Sequence, residues 1–239
     1  MNRLGVAGCG VMGSGIAELG ARGGCDVIVV DVFPDALAAA QERIHASLTK
    51  AHAAGKLAEP VAAIVSRLSF TSDVAALADR EIVIEAIREA VEDKVALIAQ
   101  LDTVLSPEAI IATNTSSIPV AQIAAASSHP GRVLGTHFFN PVPVMPLVEV
   151  VPCLLTDPEV ADRTHAFCAD VLGKKVIRAA DRSGFVVNAI LVPYLLSAIR
   201  SLQNGVASLE DIDEGMVGGC EMPMGPMRLC DMIGLDTML

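Results

Sequence analysis

A glycine-rich turn follows the first apolar run of the chain, and no other feature constrains the fold as strongly. Residues 4–7 (LGVA) suit a buried strand, and Gly8-x-Gly10-x-x-Gly13 opens a helical pattern over residues 13–22. In that context Gly8 permits a tight turn, Gly10 lets the backbone approach a pyrophosphate, and Gly13 lets helix and strand pack closely. The free N–H groups and the dipole of the helix N-terminus then face the phosphates. The motif therefore predicts a dinucleotide site, the alternative being a plain glycine-rich turn.

The second strand of this unit carries the residue that distinguishes between dinucleotides. The run DVIVVD ends at Asp31, eighteen residues after Gly13. An acid at that position accepts hydrogen bonds from a ribose 2′-hydroxyl and repels a 2′-phosphate. We therefore expect NAD rather than NADP as the cofactor. The alternative is an ordinary helix-capping aspartate before Pro34.

Strand-like and helical runs alternate through most of the chain. Short apolar strands that alternate with helices are typical of a mostly parallel sheet covered on both faces. We therefore expect an α/β domain of the Rossmann type over residues 1–180. Strands are predicted at 4–7, 27–30, 82–85, 109–113, 132–136, 147–151 and 175–179, and helices at 13–22, 34–54, 91–102 and 157–172.

The pattern becomes purely helical near the end of the chain. Residues 184–203 suit one long apolar helix, and residues 208–217 suit a shorter helix with Ser208 as its cap and Asp211 in its first turn. A segment rich in Met, Gly and Pro follows, and no further strand is predicted. We expect a second, all-helical domain over residues 181–239.

Charge and apolar content exclude several classes of protein. Hydrophobic residues make up 52% of the chain, enough for a large core, and the net charge of −11 disfavours a nucleic-acid partner, which needs a basic face. The apolar run 184–199 is shorter than the roughly 20 residues of a membrane span, and Asn188 and Pro193 interrupt it. The six cysteines form no C-x-x-C pair and no zinc spacing, so we expect no metal site and a reducing, cytoplasmic location.

A nicotinamide enzyme must move a proton as well as a hydride, and His137 is the strongest candidate for that proton. Histidine ionises close to neutral pH, and of the five histidines only His137 ends an apolar strand. Glu149, twelve residues later, could return beside it and hold the imidazole in one tautomer. A core histidine bonded to a backbone carbonyl is the alternative. Ser116 is either a helix cap or a group facing substrate, and Asn188 either bonds backbone or holds a ligand.

Seven motifs, in order, resemble the L-3-hydroxyacyl-CoA dehydrogenase family and in particular its short-chain bacterial members. The resemblance covers essentially the whole chain. The motifs are AGCGVMGSGIA (7–17), the acid Asp31, VIEAIREAVEDK (83–94), NTSS (114–117), HFFNPVPVM (137–145) with LVEV (147–150), SGFVVNAILVPYLLSAI (183–199) and PMGPMRLCDMIGLDT (223–237).

This resemblance implies reversible, NAD-dependent oxidation of a short-chain (S)-3-hydroxyacyl-CoA, such as 3-hydroxybutyryl-CoA, to the 3-ketoacyl-CoA. It gives His137 the acid/base role and Glu149 the role of its partner, and it makes Ser116 and Asn188 hold the substrate oxygen. Related dehydrogenases of free hydroxy or sugar acids, and non-catalytic NAD-binding relatives, are the alternatives. The implied cofactor contacts are Gly8, Gly10, Val11, Met12, Gly13, Asp31, Glu89, Lys94, Asn114, Ser116 and Asn140.

The resemblance also implies where an acyl-CoA substrate and a second subunit bind. The helical hairpin that meets coenzyme A corresponds to residues 34–66, in and beside which Arg43, Lys50, Lys56 and Arg67 form a basic island. A solvated helix face is the alternative for these residues. The helical domain is expected to form a homodimer interface. Because relatives continue for several helices after the GLDT motif, we expect this domain to be incomplete.

Overall fold

The computed structural model describes residues 1–234, which divide into two compact units between Phe185 and Val186. The boundary expected from the sequence lies slightly earlier, at residue 181. Residues 235–239, where the last family motif and the predicted helical domain end, lie outside the described residues.

Strands and helices alternate through the first unit. A π-helical turn, Phe167–Val171, continues its last helix. The elements are β1 (Arg3–Ala7), α1 (Val11–Arg22), β2 (Asp26–Val30), α2 (Pro34–Ala53), α3 (Val61–Val65), β3 (Leu68–Thr71), β4 (Ile82–Glu85), α4 (Val91–Val104), β5 (Ile110–Thr113), α5 (Val120–Ala124), β6 (Val133–Phe138), β7 (Leu147–Val151), α6 (Pro158–Ala166) and β8 (Lys175–Arg178).

These eight strands form one sheet in the order β3-β2-β1-β4-β5-β6-β7-β8. All neighbours run parallel except β6 and β7, which are antiparallel. The strand order changes direction between β1 and β4. Open α/β sheets bind ligands outside the carboxyl ends of the strands at such a point. The mostly parallel, Rossmann-type sheet expected from the sequence is confirmed.

The central strands send alternate side chains to opposite faces of the sheet, because the side-chain period of a strand is two. On one face Val6 and Ile84 pack in an apolar cluster with α1 and α2 residues. On the other face Ala7 and Val83 pack in a second cluster with residues of α4 and α5. Burial on both faces explains why these strands are continuous apolar runs rather than alternating ones.

The second unit is helical over its described residues, as expected. It contains α7 (Val187–Gln203), α8 (Leu209–Cys220) and α9 (Pro226–Ile233). The Ser208 hydroxyl accepts a hydrogen bond from the Asp211 N–H at the start of α8, which confirms the predicted cap. No helix in the described part of the chain is long and apolar enough to cross a membrane.

Several elements differ from the sequence-based expectations. The edge strand β3 was not predicted, nor was α9. The helix expected over 157–172 is α-helical only to Ala166. The helix expected from residue 184 begins at Val187, because Gly184 and Phe185 have φ values of +75° and +51°, which a right-handed helix cannot contain.

Candidate active site

The turn after β1 requires glycine at two positions. Gly8 has φ +96°, and a Cβ on it would lie 2.6 Å from the Ala86 carbonyl oxygen. A Cβ on Gly13 would lie 1.9 Å from the Gly8 carbonyl oxygen. Gly10 differs, because no described atom outside its neighbours lies within 4 Å of its ideal Cβ position. This open backbone at the N-terminus of α1 fits the pyrophosphate of the predicted dinucleotide.

Asp31, at the end of β2, is bonded to the same turn. Its Oδ2 accepts a hydrogen bond from the Cys9 N–H at 2.9 Å, and its Oδ1 accepts one from the Phe33 N–H at 3.1 Å. Asp31 is half-buried, so part of the residue remains accessible at the end of β2. Burial, reinforced by the Asp31 carboxylate, raises the pKa of the Cys9 thiol to about 12, so this thiol is neutral. Val11, exposed, and Met12, half-buried, follow at the start of α1.

A buried lysine joins two carboxylates near the carboxyl end of β4. The Lys94 ammonium is fully buried, donates to Glu85 Oε1 at 2.6 Å and lies 3.2 Å from Glu89 Oε2. Glu85, also fully buried, accepts further hydrogen bonds from the Thr113 hydroxyl (2.6 Å) and the Ile87 N–H (2.8 Å). Buried charges are stable when they are paired and hydrogen-bonded, and this network meets both conditions.

Glu89 also holds the loop that carries Ser116. Its Oε1 accepts hydrogen bonds from the Thr115 hydroxyl, from the Ser116 N–H (2.9 Å) and from the Ser117 N–H (3.3 Å). Burial alone raises the pKa of Glu89, but the Thr115 hydrogen bond, the charge of Lys94 and the Ser116 N–H hold it below its ordinary value. Three of the predicted site residues, Glu89, Lys94 and Ser116, are therefore brought together in one network.

His137 and Glu149 face each other across the antiparallel strands β6 and β7. They form a register pair, with Nδ1 of the imidazole 2.6 Å from Oε2 of the carboxylate. Their exposed fractions are 6% and 0%. An ionised carboxylate only accepts hydrogen bonds, so the proton belongs on Nδ1 and proton exchange falls to Nε2. The rings of Phe139 and Phe185 lie 4.6 Å and 5.5 Å from the His137 ring, measured between centroids.

Two asparagines that were predicted to contact the cofactor, Asn114 and Asn140, follow the carboxyl ends of β5 and β6. Asn114 Oδ1 accepts a hydrogen bond from the Phe138 N–H at 2.9 Å, which ties the end of β5 to β6. Asn140 is exposed in the turn after β6, where it lines a small cleft together with Val11 and Ser14. The cleft places Asn140 next to the first turn of α1.

Two arginines of the basic island already make bonds within the protein. Arg67 is paired with Glu59, donates to the Ala21 carbonyl oxygen at 2.9 Å and is partly buried. Arg43 reaches back from α2 and donates to the Cys9 carbonyl oxygen at 3.2 Å, so it supports the glycine turn. Both arginines are therefore engaged within the protein, and the expected contact of the island with coenzyme A stays a prediction. The two lysines, Lys50 and Lys56, are exposed.

Asn188 lies in the second unit, in the first turn of α7, and is half-buried. Its expected role in holding the substrate oxygen therefore stays a prediction, because the other site residues belong to the first unit.

Two buried charges near the site were not predicted from the sequence. Glu85 ends the apolar run IVIE. An acidic residue at the end of a buried strand could have predicted a buried hydrogen-bond network from the sequence. Lys174 is buried and bonded to the turn between β6 and β7. It stands beside the exposed Lys175, and nothing in the local sequence distinguishes the two lysines.

A glycine turn at the point where strand order changes direction, with a buried histidine–carboxylate pair at the same edge of the sheet, defines a nicotinamide-dependent dehydrogenase. Comparisons with known proteins agree. The NAD binding domain of 3-hydroxyacyl-CoA dehydrogenase matches residues 3–182, and the C-terminal domain of the same enzyme matches residues 184–239. The chain belongs to the 3-hydroxyacyl-CoA dehydrogenase family and is an NAD-binding oxidoreductase.

Individual relatives are similar over all or nearly all of this chain. A 3-hydroxybutyryl-CoA dehydrogenase of Mycobacterium tuberculosis is 52% identical over 240 residues, which cover 100% of this chain and 84% of the relative. A probable 3-hydroxybutyryl-CoA dehydrogenase of Deinococcus radiodurans is 44% identical over 99% of this chain and 85% of its own length. The crystal structure of (S)-3-hydroxybutyryl-CoA dehydrogenase from Ralstonia eutropha has a TM-score of 0.96 at 40% identity, covering 100% of this chain and 84% of that one.

Proposed function

We propose that this chain catalyses the reversible, NAD-dependent oxidation of a short-chain (S)-3-hydroxyacyl-CoA, such as 3-hydroxybutyryl-CoA, to the 3-ketoacyl-CoA. The observation that carries the proposal is the hydrogen bond of 2.6 Å between His137 and Glu149. The names of relatives that are 40–52% identical support the substrate class.

In the proposed reaction His137 takes the proton of the substrate hydroxyl at Nε2. Bound NAD supplies the chemistry of hydride acceptance. The Glu149 carboxylate keeps the proton on Nδ1, orients the ring and stabilises the imidazolium that forms. In the reverse direction the imidazolium returns its proton to the developing alcohol oxygen. The apolar rings of Phe139 and Phe185 limit water around this exchange.

The oxygen of the substrate needs a fixed place if the proton transfer is to be efficient. We assign this task to the hydroxyl of Ser116 and the amide of Asn188. Glu89 supports Ser116 by accepting its backbone N–H at 2.9 Å, which leaves the hydroxyl to turn towards substrate.

The cofactor is proposed to lie along the carboxyl edge of the sheet. Gly8, Gly10 and Gly13, with Val11 and Met12, would hold the pyrophosphate, and Asp31 would bind the ribose 2′-hydroxyl. Glu89, Lys94, Asn114, Ser116 and Asn140 would surround the nicotinamide half. Lys94 would act there through Glu89 rather than by direct contact, because its ammonium is fully buried between two carboxylates.

The remaining expectations concern binding surfaces and location. Lys50 in α2 and Lys56 just after it, both exposed, would contact the phosphates of coenzyme A. A homodimer through the helical unit is supported by exposed apolar side chains on α7, such as Ile190 and Leu196. A cytoplasmic location is consistent with the thiols of the sequence.

A direct comparison of two substrates tests this proposal. Loss of NADH absorbance would be followed with acetoacetyl-CoA and with free acetoacetate under identical conditions. We expect turnover of the thioester and little turnover of the free acid. Preference for acetoacetate would instead favour a dehydrogenase of free hydroxy acids. NADH binding without turnover of either compound would favour a non-catalytic relative.

A further inference from the structure

The turn between β6 and β7 decides whether the two members of the acid/base pair meet. His137 is near the end of β6, and Glu149 is in the middle of β7, so residues 139–146 set the offset between the two strands. A slip of one residue would send one of the two side chains to the opposite face of the sheet. The turn is therefore part of the geometry of the site, although most of its own side chains are apolar.

Lys174 holds this turn through its ammonium group. The side chain is buried, and its ammonium donates hydrogen bonds of 2.6 Å to the Val142 and Met145 carbonyl oxygens. Burial, with the nearby charge of Arg22, lowers the pKa of this lysine. The backbone adds a third tie, because the Lys175 N–H donates to the Pro146 carbonyl oxygen at 2.8 Å.

Helix α1 packs against the same turn. Val142 is buried against Gly15, where an added Cβ would lie 2.8 Å from Cβ of the valine. The helix that begins at the glycine turn therefore packs directly on the segment that joins His137 to Glu149.

We propose that Lys174 is a positioning residue, which fixes the turn of residues 139–146 against α1 and so keeps His137 in hydrogen-bonding register with Glu149. This inference rests on the proposed function of the pair. A lysine suits the task because its ammonium carries three donors on a long, slender stem. An apolar residue of similar length would fill the space but leave two buried carbonyl groups without their donor.

The test compares Lys174→Met with Lys175→Met, a matched control in which the neighbouring, exposed lysine is changed. The first readout is the far-downfield proton resonance of the Nδ1–H bonded to Glu149, recorded without cofactor and assigned by its loss in His137→Gln. We expect the signal to be lost or shifted only in Lys174→Met. The second readout is turnover of acetoacetyl-CoA, where kcat should fall on the order of 10- to 100-fold with little change in the KM for NADH.

A second variant disturbs the turn through its contact with α1. Gly15→Ala should push Val142 away and reproduce the spectral change, and it decides the matter if Lys174→Met does not fold. Wild-type resonance and wild-type kcat in Gly15→Ala and in folded Lys174→Met would overturn the inference. If wild type turned over no acetoacetyl-CoA but the resonance still depended on Lys174, the proposed function would fail and the positioning role would stand.

Discussion

The imidazole of His137 and the carboxylate of Glu149 meet at 2.6 Å because their residues are directly opposite each other on two antiparallel strands. This pairing is the only antiparallel one among the neighbouring strands of the described sheet. The chain therefore returns, twelve residues after the histidine, with the carboxylate that fixes the tautomer of the imidazole.

Glu149→Gln should weaken the reaction through His137. A glutamine amide can present its NH₂ group to Nδ1, so the imidazole is no longer held in one tautomer and its cation loses a counter-charge. We expect kcat for acetoacetyl-CoA reduction to fall about 10- to 100-fold, with NADH affinity unchanged. Glu159→Gln, at an exposed position, is the control. Equal kcat in the two variants would show that the pairing does not matter for the chemistry.

Asp31→Asn tests cofactor choice while keeping the shape of the side chain. Asp31 accepts backbone hydrogen bonds from Cys9 and Phe33, and an amide oxygen can retain part of this support. A hydrogen bond to a charged group contributes about 1.5–3 kcal/mol. We therefore expect kcat/KM for NADH to fall about tenfold or more. The ratio of kcat/KM for NADPH to kcat/KM for NADH should rise. A wild-type enzyme that used both cofactors equally well would refute the assignment.

Two glycines of the dinucleotide turn should respond differently to alanine. In Gly13→Ala the new Cβ would be 1.9 Å from a backbone oxygen, so the loop must shift. We expect a loss of stability of about 1–3 kcal/mol in thermal or urea unfolding. Gly10→Ala has open space and should unfold like wild type, yet bind NADH more weakly in a fluorescence titration. Wild-type NADH affinity in Gly10→Ala would mean that the cofactor does not approach this backbone.

Glu89 should contribute stability that depends on pH. Because its pKa is lower in the folded chain than its ordinary value of 4.5, the contribution is present above that value and is lost as the pH falls through the folded pKa. We expect unfolding free energy to decline more steeply on acidification in wild type than in Glu89→Gln. Glu108→Gln, which alters an exposed glutamate, should follow wild type. Parallel profiles for wild type and Glu89→Gln would contradict the network around Ser116.

Local sequence patterns predicted the elements whose structure depends mainly on the burial of neighbouring residues in the chain. The strands at 82–85 and 147–151 were predicted to the residue, because short buried strands are continuous apolar runs between polar segments. The edge strand β3 was missed since Leu68–Thr71 is short and only partly buried. Helix α9 was missed because its surroundings are rich in Gly and Pro, although Pro226 at its first turn is a favourable start.

The candidate site was predictable in part. His137 and Glu149 could be paired from the sequence, since an Asn-Pro turn between two apolar runs suggests strands that return beside each other. The fixed position of Lys174 could not be predicted, because its carbonyl partners lie in a distant segment and its neighbour is also lysine. The same applies to Lys94, whose burial between Glu85 and Glu89 depends on how α4 packs against the end of β4.

The most direct measurement is the rate of acetoacetyl-CoA reduction by His137→Gln, with NADH binding measured on the same preparation. General acid/base catalysis contributes about 10²–10⁴ in rate, so the variant should lose that factor in kcat while its affinity for NADH stays at the wild-type value. A folded His137→Gln variant that reduces acetoacetyl-CoA at a near-wild-type rate would contradict the assignment of His137 as the residue that carries the proton.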